Sequence, residues 1–375
     1  MSTSPARDQP EAELLKPAPS LVVWRNSRDK NRYRSWCEET YGLVEFGPEV
    51  FHPADILDAL SADAARRGKD EVSASVRAEL EQTVCERFPA PIAVPFHAFL
   101  EGPREPLSRL YRLRDAWEGL IRLLAALVLS ECASIGTAVN GLAIRESERD
   151  SPRACRAKDM RTERLATRIG LIEGVIEQCR YLGITLELHS IIPEGVIAEV
   201  RRLNAIRNGF SHEGVKSEHQ ARQLIEEAYP LLREVLLDLS GLEGVELLRL
   251  RKFKAGSPPV AEVDCLFGHA QSPRVREIQI QPAMTGVLLG AARVGDLDRV
   301  LAKIGARVFD LSPFYYALDD DTGHRTRIAF FKARKNGRWK MEVVGDSVSI
   351  DQDSSLHDAL MDRFYALVGE GGDES

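Results

Sequence analysis

No stretch of this sequence offers the roughly eighteen consecutive apolar residues that a membrane-spanning helix needs. The longest candidate, Leu120 to Leu129, is broken by Arg122 and reads as a buried helix. No membrane partner is expected, and a cytoplasmic location is. Residues 1–20 are rich in proline, serine, alanine and charge and lack the apolar segment of a signal peptide. The sequence also lacks a Walker A loop, a G-x-G-x-x-G after a strand and a G-x-S-x-G elbow. P-loop ATPase, Rossmann enzyme and serine hydrolase readings therefore have no support.

Cysteine is sparse and scattered. Cys37, Cys85, Cys132, Cys155, Cys179 and Cys265 form no C-x-x-C pair, so reduced thiols are expected, with no zinc, no other metal and no cofactor. Asp319-Asp320-Asp321 lacks the spaced ligands of a calcium loop and reads as a solvated turn. Positive charge is not in surplus either. With 57 acidic against 50 basic residues the net charge is −7, so only local basic patches are left to bind a nucleic acid.

What is present is length and helical periodicity. A chain of 375 residues exceeds one ordinary core and predicts two or three domains. Residues 1–20 read as a disordered tail. Residues 21–96 read as a small mixed and helical region, with an apolar start at Leu21 to Trp24 and helices over Ala54 to Arg67 and Glu71 to Phe88. Three prolines between Phe88 and Pro95 exclude a helix interior there and predict a domain boundary. Residues 97–240 are helical throughout. Leu110, Leu113, Trp117, Leu120, Ile121, Leu124, Leu127 and Val128 make one stripe at spacings of three and four. Further helices are predicted over Thr162 to Tyr181, from Pro193-Glu194-Gly195 onward, and over Glu218 to Leu239, the last kinked at Pro230. Four amphipathic helices can close a bundle.

Residues 241–369 read as a β-rich domain with a C-terminal helix over Ser355 to Val368, and 370–375 as an acidic tail. Strands are expected at Glu246 to Phe253, Ala261 to Phe267, Val275 to Ile280 and Ala306 to Asp310. Asn336-Gly337 between Ile328–Lys335 and Arg338–Val344 marks a hairpin. The fold class expected is α+β and multidomain, an all-α four-helix centre followed by a β-rich part.

The residues that carry chemistry end the third helix of the bundle: Arg207-Asn208-Gly209-Phe210-Ser211-His212. Five positions turn an ideal helix by about 500°, leaving Arg207 and His212 roughly 140° apart. Their convergence calls for a loosened helix, and Gly209 stands where loosening is needed. Arg-Asn-x-x-x-His in this helical context resembles the signature of HEPN domains, over residues 97–240. The resemblance implies metal-independent cleavage of RNA by its own 2′-hydroxyl. His212 would move protons near neutral pH, Arg207 would hold the phosphate, and Asn208 would orient the histidine or a phosphate oxygen. It also implies a homodimer with facing motifs, and an acidic or polar residue from the first helix facing the site, for which Asp115 and Glu118 are the candidates. A toxin or an anti-phage defence effector is the biology such multidomain proteins suggest. The bland alternative is an Arg and a His satisfying the last carbonyls of a helix. The corresponding function is a non-catalytic dimerisation module, or one that binds RNA or a nucleotide.

Two charged stretches stay ambiguous between RNA contact and solvated surface. Arg153, Arg156, Lys158 and Arg161 lie in a run where six cations face two acids. The hairpin carries Lys332, Arg334, Lys335, Arg338 and Lys340 around Trp339, a pattern that suits single strands or edge protection equally. Arg249 to Lys254 alternates as a strand with one basic face and is open in the same way.

Overall fold

The computed structural model of the chain describes residues 44–46, 49–51, 69–136, 141–146, 152–215, 217–254, 256–270, 274–281, 284, 287, 297–319, 325–335, 338–346 and 348–368. Two compact units divide the chain, Met1–Glu81 and Gln82–Ser375. In the first, β1 (Val44–Phe46) pairs antiparallel with β2 (Glu49–Phe51), Val44 opposite Phe51. The helix α1 (Lys69–Arg87) runs across the division and matches the one expected there. The expected elements at Leu21–Trp24 and Ala54–Arg67 lie outside the described residues, as do the tails at 1–20 and 370–375.

The proline-rich segment is a helix, contrary to expectation: α2 spans Ala90–Glu101 with Pro91 and Pro95 inside it. Pro89 occupies the N-cap and Pro91 the first turn, where a backbone N–H has no intrahelical partner to lose. Only Pro95 removes a bond, the one that Pro91 C=O would accept. That carbonyl instead lies against the next helix, α3 (Pro106–Ile135), at Gly119, where an added Cβ would collide with it. The missing side chain lets α2 and α3 pack at close range.

Four helices close a ring. α3 packs on α5 (Leu165–Tyr181), α5 on α6 (Val196–Glu213), α6 on α7 (Glu218–Asp238), and α7 returns to α3. α5 and α7 start and stop within a few residues of their expected positions, and α6 starts where expected. Leu120, Ile121, Leu124, Ile169, Ile172, Val200, Leu203, Leu232 and Val235 are buried, the stripes that the periodicity picks out. Fully burying one such side chain is worth about 1.5–3 kcal/mol. Between α3 and α5 run a two-stranded ribbon of β3 (Ala143–Ile144) and β4 (Arg153–Ala154) and the short α4 (Ala157–Met160).

The C-terminal part is an antiparallel sheet. Its strands are β5 (Val245–Lys254), β6 (Val260–Cys265), β7 (Arg274–Gln279), β8 (Asp298–Ile304), β9 (Arg307–Asp310), β10 (Tyr315–Asp319), β11 (Thr326–Lys335), β12 (Arg338–Val343) and β13 (Ser349–Asp353). They lie in the order β13-β12-β11-β10-β8-β5-β6-β7, with β9 also paired to β8. Lys335 pairs with Arg338, so the hairpin closes over two residues as expected for Asn-Gly, which themselves lie outside the described residues. β8, β10 and β13 were not anticipated. β10 buries Tyr315, Tyr316 and Ala317 in succession and so shows no alternation to read. The closing helix α8 (Ser354–Tyr365) packs on β12 and α3. There Trp339 Nε1 donates to Asp358 Oδ1 at 3.2 Å, and Tyr316 Oη and His357 Nδ1 are 2.8 Å apart. Bundle and sheet belong to one compact unit. Ala90 N–H donates to Leu266 C=O, Arg307 pairs with the buried Glu131, and Arg122 lies over the Phe330 ring at 4.6 Å. Among the described residues no helix is long and apolar enough to cross a membrane.

Candidate functional site

One buried carboxylate organises the site. Glu118 stands mid-helix on α3, and its side chain is 9% exposed. Arg122, one turn on, donates to Oε2 at 2.6 Å, while Arg114, one turn back, brings Nε to 3.8 Å from Oε1. From α6, Arg207 donates to the same Oε1 through Nη2 at 3.0 Å and Nε at 3.2 Å. Its Nη1 donates to Asn208 Oδ1 at 3.2 Å. Burial pushes the Glu118 carboxyl up, but Arg122, Arg114 and Arg207 together pull harder and hold it below its ordinary range. Glu118 is ionised at neutral pH, and three guanidiniums share its single charge.

Arg207, Asn208, Glu118 and Asp115 all line one cleft of about 990 Å³. Its walls come from α2, α3, α6 and the start of α5 on one side and from β10, β11 and β12 on the other. Asp115 is half exposed and bonds Arg114, with Oδ1 2.8 Å from Nη2. The crowded cleft nonetheless raises its carboxyl, an effect that Arg114 opposes. The backbone of His212 belongs to the last turn of α6; its side chain lies outside the described residues.

The expected loosening at Gly209 does not occur. α6 continues through Gly209 to Glu213, and Gly214 N–H closes the end on Phe210 C=O at 3.1 Å. The reason is Phe210, which is buried against Leu110 of α3 and Ala221 of α7 and so anchors the last turn. On a continuous helix Arg207 and His212 of one chain leave the axis about 140° apart.

The basic stretch divides. Arg153 makes a two-point pair with Asp159, Nη1 to Oδ2 at 2.7 Å and Nη2 to Oδ1 at 2.9 Å, and also pairs with Glu146, so its charge is used within the loop. Arg161 lies over the Tyr365 ring. Arg156 and Lys158 are exposed. In the hairpin, Trp339 is fully buried, which removes it as a surface for bases, and Lys332 pairs with Glu342. The side chains of Arg334 and Lys335 lie outside the described residues. The basic face at Arg249–Lys254 is largely neutralised: Arg249 is buried, with Nη1 2.6 Å from Asp319 Oδ1 and Nε 3.0 Å from Asp298 Oδ2, and Arg251 pairs with Asp264. Asp319 is thus a structural partner, while Asp320 and Asp321 lie outside the described residues.

Sequence reasoning missed one pair. His97 of α2 and His269 of the β6–β7 connection stack with ring centroids 3.8 Å apart and planes at 8°, beside a hollow that Arg325, Arg327 and Asp346 also line. They are distant in sequence and carry no spacing signal. Burial first, then His269, lowers the His97 pKa, with Glu101 opposing. The stack therefore contributes stability while His97 is neutral, and that contribution is lost as pH falls below the ordinary histidine range. Melting temperature is expected to drop on going from about pH 7.5 to 5.5, and His97→Gln to reduce the drop. An unchanged drop in the variant would assign it to other groups.

Comparison with known protein families, with curated proteins and with solved structures finds no match to this chain.

Proposed function

We propose that this chain is a metal-independent endoribonuclease of HEPN type that acts as a homodimer. The observation that carries the reading is Arg207, held in an open cleft by Glu118 of α3. An acidic residue of the first bundle helix facing the motif arginine is what the resemblance implies. The ring of α3, α5, α6 and α7 supports the four-helix bundle. In the reaction, His212 takes the proton of a 2′-hydroxyl, the oxygen attacks the adjacent phosphorus, and the bond to the 5′-oxygen breaks. The leaving oxygen takes a proton from an acid, and a 2′,3′-cyclic phosphate remains. Arg207 balances the charge growing on the phosphate oxygens. Because α6 is continuous, positions 207 and 212 of one copy lie about 140° apart around its axis. Two copies with facing α6 helices would bring a guanidinium of one and an imidazole of the other to the same phosphate. A toxin or anti-phage effector is the role this activity would fit.

One observation favours the rival class, a non-catalytic dimerisation or binding module: the Arg207 guanidinium is engaged by Glu118 and Asn208, as a structural brace would be. Full-length protein incubated with total RNA in EDTA separates the two. Cleavage to 2′,3′-cyclic ends is expected, and Arg207→Ala and His212→Ala should each reduce it at least about 100-fold. The absence of cleavage at protein equimolar with RNA, or full activity in His212→Ala, would sink the nuclease reading.

A further inference from the structure

Beneath the Glu118 cluster the cleft has a floor that this cluster does not explain. Arg168 of α5 is 7% exposed and does not itself line the cleft, but its charge acts on Tyr315, which does. Its Nε donates to Thr162 C=O at 3.2 Å, which folds the guanidinium back onto the turn preceding α5. Its Nη2 is buried without a hydrogen-bond partner, and so is the hydroxyl of Tyr315, a cleft-lining residue 1% exposed. Arg122 lies close enough to both for its charge to act on them. The first turn of α5 completes the arrangement. Arg164, Leu165 and Ala166 line the cleft, and no side chain caps the N-terminus of this 17-residue helix. Backbone N–H groups at a helix start are free donors with the positive end of the dipole behind them.

The guanidiniums of Arg122 and Arg168 are within reach of each other's charge and repel, and buried donors left unbonded cost about 1–3 kcal/mol each. Desolvation first, then Arg122, lowers Arg168 to about 10. Of the carboxylates whose charge acts on Arg168, Glu118 is already shared among three arginines and Glu163 stands exposed at the rim. The arrangement lacks an acceptor that takes several donors at once and carries negative charge. A phosphate group has that form. The cleft volume falls in the range of sites for small organic ligands.

We propose that Tyr315, Arg122 and the N-terminus of α5, with the charge of Arg168 acting on Tyr315, form a binding site for the phosphate of a nucleotide-sized ligand in the cleft between bundle and sheet. The site shares the cleft with Arg207 but is built from other residues, and it stands whether or not the Arg207–His212 motif cleaves RNA. The phosphate has two possible sources, a free nucleotide or a nucleic-acid backbone.

The test measures the melting temperature of full-length protein and its binding by calorimetry with four probes: inorganic phosphate, a 5′-mononucleotide, the matching nucleoside and a short oligodeoxynucleotide. Phosphate and mononucleotide are expected to raise the melting temperature and the nucleoside is not. Tyr315→Phe, which keeps the ring and removes only the hydroxyl, should weaken binding about tenfold. Arg168→Gln, which removes the charge acting on Tyr315, should also weaken it, and folding of both variants is checked by circular dichroism. A response to the oligodeoxynucleotide alone, lost in Tyr315→Phe, would support the site and assign the phosphate to a backbone. No response to any probe, or equal responses in wild type and Tyr315→Phe, overturns the proposal.

Discussion

Glu118→Ala should destabilise the folded chain by about 3 kcal/mol. The substitution removes one carboxylate and leaves Arg114, Arg122 and Arg207 facing one another in a pocket that Glu118 now fills to 9% exposure. Removing one partner of a buried ion pair costs about 3–5 kcal/mol, since the remaining charge stays desolvated. The lower end applies because the Arg114 and Arg207 side chains are 30% and 28% exposed and can turn toward water. Arg122, at 14%, cannot do so as fully. Urea unfolding with an unchanged slope measures the effect. A loss under about 0.5 kcal/mol, the range of ordinary surface substitutions, would mean that the cluster is solvated and that Arg207 has no fixed position. The pH dependence follows from the direction of the shift. The Glu118 carboxyl titrates lower in the folded than in the unfolded chain, so its stabilisation is present above the ordinary carboxylate range and is lost as pH falls through the folded value. The stability gap between wild type and Glu118→Gln should accordingly narrow on acidification from about pH 6 to pH 3.

Gly174→Ala should cost about 3 kcal/mol through sterics alone, at the upper end of the usual overpacking range. Gly170 and Gly174 lie one turn apart on α5 and form a track against which the backbone of β3 runs. A Cβ at Gly174 would strike the Ala143 carbonyl, with its carbon 2.8 Å away, and one at Gly170 would strike the Arg145 carbonyl. The contact is also bonded: Arg145 N–H donates to Gly170 C=O at 2.9 Å, and Gln178, a further turn along, bonds Ala143 N–H and Gly141 C=O at 3.0 and 2.8 Å. Backbone cannot move aside as the end of a side chain can. The clash would therefore lift the β3–β4 ribbon, with Arg153 and its acidic partners, off the bundle. Thermal unfolding measures the effect. A shift of the melting temperature under about 1 °C would show that the ribbon is not seated on this track.

The helical third of the chain was legible because its stripes at spacings of three and four bury one face whatever they pack against. The hairpin at Asn336-Gly337 was legible because a two-residue turn of that chemistry permits few registers. The α2 helix was misread, since three prolines look like a breaker unless two of them fall at the helix start. Glu118 was anticipated as a partner of the motif only through resemblance. Its pairing with Arg122 and Arg114 is written in the i, i+4 spacing, but its contact with Arg207 spans two helices.

Local pattern, taken alone, determined the α+β class and the extent of the four helices, because each depends on neighbours within one or two turns. Tertiary structure decided the rest: the strand order, the stack of His97 on His269, the burial of Trp339 and Arg249, and the meeting of α5 with β10 at the cleft floor. Those contacts join residues tens to hundreds of positions apart, and no periodicity encodes which side chains meet across such separations. It also decided the course of α6, where the burial of Phe210 outweighed the weak helix propensity of Gly209.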